Sequence, residues 1–162
     1  MRNKSLLFLV QSSMIAAIYV VLVYIFKPIS FGAIQVRIAE VLTILPMFTP
    51  AAIPGLTLGC FLGNFLTGAD MLDVIFGSLA TLLGALGSYG LRRYKFLVPL
   101  PPIIANIVIV PWILRYAYNI PDAIPFMMLT VGIGEVISCG VLGIILIFAL
   151  DRYKDVIFKN IN

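Results

Sequence analysis

From Leu6 to Phe26 the chain carries no charged side chain, and apolar stretches of similar length recur as far as Leu150. That pattern constrains the fold more than any other feature. A helix rising 1.5 Å per residue needs about 20 apolar residues to cross about 30 Å of hydrocarbon, and these runs have that length. Composition agrees: 62% of the residues are hydrophobic and 11% charged, against roughly 45–50% and about 25% in soluble domains. The expected fold is therefore an all-α integral membrane protein. A chain of 162 residues supplies about six or seven crossings and little else.

The joints between runs give the boundaries. Lys27-Pro28 ends the first run, because the proline ring disfavours helical geometry at the residue before it. A single helix from Val36 to Gly68 would be about 50 Å long, too long for a bilayer even when tilted. Two spans with a tight turn at Thr49-Pro50 fit better. The expected spans are 5–26, 36–48, 50–67, 73–91, 96–114 and 123–150, forming one six-helix domain. The fifth contains Pro99, Pro101, Pro102 and Pro111 and is expected to be bent or partly unwound.

Six spans place both termini and the Arg92–Lys95 loop on one side, with Arg2, Lys4, Arg92, Arg93, Lys95, Arg152, Lys154 and Lys159. The other side holds Lys27, Arg37 and Arg115. By the positive-inside rule both termini are cytoplasmic. The same distribution argues against nucleic acid as a partner, since the basic residues sit at the ends of apolar runs and not on a polar face. The chain has no histidine, which excludes histidine acid–base chemistry and histidine metal ligation. No Gly-Lys dipeptide occurs, so the phosphate-cradling loop of ATPases is absent and any ATP-driven step belongs to another chain. Cys60 and Cys139 lie within apolar segments and read as small packing residues, not as metal ligands.

Polar residues inside these runs are the candidates for function. A charge at the centre of a membrane helix costs about 2.5–3.5 kcal/mol, so it needs a partner, a wet cavity or a ligand. Arg37 and Glu40 stand three apart, placed either for a local ion pair or for ligand contact. Asp73 precedes the fourth span, as a helix cap or a ligand contact. Glu135 lies well inside the last span, just after Gly132 and Gly134 and with no basic residue within a turn, which favours a functional role. Asn64 and Asn106 suit interhelical hydrogen bonds or ligand contacts equally. Trp112 and Tyr116 are one turn apart and either belong to the interfacial aromatic belt or stack on a planar ligand. Ser12/Ala16 and Ser13/Ala17 form small-x-x-x-small pairs where another helix can approach closely. Nucleophile–base pairs are not visible, which disfavours an enzyme; paired carboxylates at Glu40 and Glu135 are the one enzymatic alternative.

The strings RIAEVLTILPMFTPAAIPGLTLGC (37–60), DVIFGSLATLL (73–83) and Gly132-Ile133-Gly134-Glu135 resemble the queuosine-precursor transporter family, and the resemblance covers nearly the whole chain. It implies an S component of an energy-coupling-factor transporter: a six-helix bundle in the prokaryotic plasma membrane with both ends cytoplasmic. Such a subunit captures a small molecule from outside and works with a transmembrane coupling subunit and two ATPase subunits. On that resemblance the chain itself carries no cofactor, ATP being used by the partners. The implied substrate is 7-aminomethyl-7-deazaguanine, the alternative being another vitamin-like or purine-like molecule. The resemblance assigns Glu40 and Glu135 to the guanine-like edge and the aminomethyl cation, in either order. Asn64 and Asn106 complete the edge, Trp112 and Tyr116 stack, and Arg37 and Asp73 border the site. The Ser12/Ala16 and Ser13/Ala17 pairs match the family's docking pattern on the first helix, and the loop 29–35 matches its lid.

Overall fold

The computed structural model describes residues 4–30 and 36–157; positions 31–35 of the expected lid lie outside them. Six helical elements make up the fold. They are α1 (Lys4–Ile25), α2 (Ile38–Met47), α3 (Ala52–Leu66), α4 (Asp73–Gly90), α5 (Leu100–Tyr116) and α6 (Ile124–Asp151). Single helical turns follow α1 at Lys27–Ser30 and α6 at Lys154–Ile157. Among the described residues there is no strand. α1, α4 and α6 are long and apolar enough to cross a membrane, while α2, α3 and α5 are shorter apolar helices.

Local chemistry explains the departures from regular winding. α2 is wound as a 3-10 helix. The Glu40 carbonyl that would bond the amide four residues on instead accepts from Thr43 Oγ1 at 2.6 Å, with Cys139 Sγ 3.4 Å away, and Pro46 has no N–H to donate. The break between α2 and α3 falls at Thr49-Pro50, where α1 pins the turn: Ser12 Oγ donates to the Ala51 carbonyl at 2.8 Å and Thr49 Oγ1 to Gln11 Oε1 at 3.1 Å. Pro99, Pro101 and Pro102 do not bend α5. They occupy its first turn or the residue before it, where a missing N–H costs nothing, and only Pro111 lies deeper in the helix. α4 opens with a π-wound segment at Asp73–Gly77, and α6 has another at Val136–Leu142.

α1, α3, α4, α5 and α6 pack side by side in that order as an open arc. α2 fills the gap, touching α1, α3, α4 and the second half of α6. Small residues set the closest approaches. A Cβ on Gly59 of α3 would stand 2.7 Å from Tyr19 Cβ and 3.1 Å from the Ala16 backbone of α1; one on Gly84 of α4 would stand 2.7 Å from Pro102 Cα of α5. Ser12 and Ala16 are therefore consumed by internal packing, their side chains buried against α3. This corrects the expectation that both small-residue pairs of α1 are free for docking: Ser13 and Ala17 alone face outward.

Ion pairs and hydrogen bonds distinguish the two ends of the bundle. At one, Gln11 meets Thr49 and Lys95 meets Asp151 at 2.7 Å. At the other, Lys27 Nζ meets the Thr67 carbonyl and Arg37 meets Asp73. The outer surface is apolar, with Leu9, Met14, Ile104, Leu129 and Ile145 exposed, while Glu40, Asp73, Asn106, Glu135, Thr81 and Ser88 are buried. A soluble domain has the opposite arrangement. The chain is a membrane protein.

Candidate binding site

The buried polar residues gather in two layers between α2 and its neighbours. In the inner layer Glu40 of α2, 1% exposed, meets Glu135 of α6, 3% exposed. A carboxylate oxygen from each and Cys139 Sγ all lie within 4.8 Å of one another. Tyr19 Oη of α1 donates to Glu40 Oε1 at 2.5 Å, and Cys139 Sγ donates to Glu135 Oε2 at 3.2 Å. Asn106 of α5 borders both carboxyl groups. Even so, Glu40 Oε2 is fully buried with no hydrogen-bond partner among the described residues. The π-wound segment places Ser138 and Cys139 inward directly after Glu135, and Thr43 Oγ1 lies 3.4 Å from Cys139 Sγ. Glu40, Glu135 and Cys139 have donor types that suit a metal ion, but the thiol is engaged as a hydrogen-bond donor to Glu135.

The outer layer joins the start of α2, the start of α4 and the α5–α6 connection. Arg37 Nη2 lies 3.3 Å from Asp73 Oδ2, and Tyr118 Oη donates to the same oxygen at 3.0 Å. Burial pushes the Tyr118 phenol up to about 12, and the Asp73 charge adds to the shift. Asn64 Nδ2 donates to the Asp73 carbonyl at 3.3 Å. The ionic partner of Arg37 is therefore Asp73 on another helix, not Glu40 on its own turn. Asp73 does not cap α4; Asp70 takes that role, accepting from the Leu72 amide at 2.8 Å. Between the layers, Tyr19, Arg37, Asn64 and Thr67 line a narrow cleft of about 20 Å³, room for about one water.

The structure thus brings Glu40, Glu135 and Asn106 together in one layer and Arg37, Asp73 and Asn64 in the next. Trp112 and Tyr116 are elsewhere. They are 50% and 68% exposed on the outer face of α5, stacked on each other at 6.3 Å between centroids. There they line an apolar cavity of about 510 Å³ with Leu72, Phe76, Val108 and Ile109, so the expectation that they stack on a ligand beside the two acids is corrected. Tyr19 and Tyr118 were missed by the sequence reading. A phenol in the middle of an apolar run, as at Tyr19, is the signal that identifies the first; Tyr118 sits in a loop and gives none.

A family model described as QueT transporter matches residues 9–152, nearly the whole chain. The chain belongs to the QueT transporter family. A 90-residue stretch is 37% identical to the Queuosine precursor transporter QueT of Lactococcus lactis subsp. cremoris (strain MG1363), covering 54% of this chain and 53% of that protein. The match therefore spans about half the length of the relative. No solved structure matches the chain. For a QueT family member, a set of buried acids and amides drawn from several helices is the kind of site that holds a small polar molecule inside a membrane.

Proposed function

We propose that this chain is the substrate-capturing membrane subunit, the S component, of an energy-coupling-factor importer, and that it takes up a queuosine precursor such as 7-aminomethyl-7-deazaguanine. Membership of the QueT transporter family supports transport of such a precursor. The observation that carries the reading is the pair Glu40 and Glu135, with carboxylate oxygens within 4.8 Å and Glu40 Oε2 lacking a partner among the described residues. A buried acceptor of this kind is costly unless something donates to it. A deazaguanine offers ring and amine N–H donors on one edge and an ammonium on its side arm, which match two carboxylates and an amide.

The cleft lined by Tyr19, Arg37, Asn64 and Thr67 is smaller than such a guest, so binding there requires α1, α2 and α3 to separate. The six elements cross the prokaryotic plasma membrane with both termini cytoplasmic, following the basic residues at the Arg92 end. A coupling subunit docks on the Ser13/Ala17 face, and two ATPase subunits hydrolyse ATP. Trp112 faces away from the two acids, which makes calorimetry on the purified protein the appropriate readout. Saturable binding of 7-aminomethyl-7-deazaguanine, weakened by about tenfold or more in Glu135→Gln, supports the reading. Absence of binding to every queuosine precursor refutes it, and preference for another purine-like molecule in a competition panel moves the substrate assignment there.

A further inference from the structure

The two acids are not equivalent, and the difference assigns them distinct roles within the proposed binding of a deazaguanine, on which this inference rests. Glu40 has one oxygen committed: Tyr19 Oη, 1% exposed, donates to Oε1 at 2.5 Å, the length of a charge-assisted O–H to carboxylate bond. Its other oxygen, Oε2, is buried and unpartnered among the described residues. Glu135 is held differently. Asn106 borders both carboxyl groups alike and does not distinguish them; the Cys139 thiol donates to Glu135 Oε2 at 3.2 Å, and a thiol is a weak donor that a stronger one displaces.

The two polar features of the guest make different demands. The guanine-like edge presents two adjacent N–H groups side by side, and a carboxylate meets both only by offering both of its oxygens. An ammonium is a compact charge whose rotatable donors need no fixed pair of acceptors, so one carboxylate oxygen can receive it. Glu40 has one oxygen to offer. Glu135 has two, once the thiol yields. We propose that Glu135 recognises the paired N–H edge while Glu40 Oε2 receives the ammonium, with Tyr19 acting as the positioning residue that fixes the Glu40 carboxylate. The assignment makes Glu40 the residue that discriminates charged from uncharged side arms, and Glu135 the residue that recognises the ring.

The test measures dissociation constants by calorimetry for 7-aminomethyl-7-deazaguanine and for its uncharged 7-methyl counterpart. The wild type is expected to prefer the ammonium compound by about tenfold or more, the order expected of a buried charged hydrogen bond. In Glu40→Gln that preference collapses to within about threefold while the 7-methyl compound still binds, the loss being the charged hydrogen bond alone. Tyr19→Phe keeps Glu40 and lowers the preference part-way, a change in selectivity that a merely structural role would not produce. Glu135→Gln weakens both ligands together by about tenfold or more and keeps their ratio. If Glu40→Gln does not fold, as judged by its thermal melt, Tyr19→Phe and Glu135→Gln carry the test. The assignment is overturned if Glu135→Gln abolishes the preference, if Glu40→Gln or Tyr19→Phe leaves it intact, or if the wild type binds both compounds equally. Failure of the wild type to bind either compound overturns the transport reading as well.

Discussion

Removing the Asp73 carboxylate is the most direct probe of the outer layer. Asp73 has 2% of its side chain exposed and Arg37 has 17%, and they are 3.3 Å apart; Tyr118 shares the same acceptor oxygen at 3.0 Å. Asp73→Ala leaves a guanidinium buried without its partner and a phenol without its acceptor. Breaking a buried pair from one side costs about 3–5 kcal/mol. The residual exposure of Arg37 and the single nitrogen it uses for both Asp73 oxygens place the expected loss near the lower figure, about 3 kcal/mol. The double variant Arg37→Met/Asp73→Leu removes both charges and is expected to recover most of that loss, because desolvation then has nothing to oppose. Denaturant unfolding in detergent micelles, followed by far-ultraviolet circular dichroism, measures both variants beside the wild type. A loss below about 1 kcal/mol for Asp73→Ala, or a double variant no more stable than Asp73→Ala, would refute the reading of a buried, mutually compensating pair.

Other perturbations have equally definite outcomes. Gly59→Ala places a Cβ 2.7 Å from Tyr19 Cβ, which forces α1 and α3 apart; a destabilisation of about 1–3 kcal/mol is expected from overpacking, and an unchanged melting temperature would contradict the packing. On the proposed docking of a coupling subunit at the Ser13/Ala17 face, Ala17→Trp is expected to weaken co-purification with that subunit while leaving substrate binding unchanged, whereas Ser12→Leu, aimed into the α1–α3 contact, should lower the melting temperature of the isolated chain. Because the Tyr118 phenol is pushed up to about 12 from about 10 in the unfolded chain, its contribution is fully present below pH 10 and is lost as pH rises from 10 to 12. Stability measured across that window should fall more steeply in the wild type than in Tyr118→Phe.

What the sequence made legible was governed by hydrocarbon and by proline. Runs without charge mark helices because few other conformations satisfy the backbone in lipid, and the break at Thr49-Pro50 is visible for the same reason. Glu40 and Glu135 stand out because an acid in an apolar run demands compensation, and the structure sets them face to face. Which way a helix turns is less legible. Trp112 and Tyr116 share a face of α5, but nothing in their spacing says whether that face looks inward, and the small residues of α1 occur on two faces of which only packing against Gly55 and Gly59 selects one. The π-wound segments leave no trace in composition, so the inward placement of Cys139 and the ion pair between Arg37 and Asp73 are visible only in the folded structure.

The 3-10 winding of α2 has a mechanical corollary. At about 2.0 Å per residue its ten residues reach about 20 Å, whereas α winding would draw the same residues into about 15 Å. The threefold repeat stacks Glu40 above Thr43 in one column, and a change to 3.6 residues per turn would swing that column out of line. Lengthening the segment with one extra alanine between Thr43 and Pro46, upstream of the pinned Thr49-Pro50 turn, would therefore rotate Glu40 away from Glu135 by about a third of a turn, converting a change in chain length into the loss of one acid from the interior.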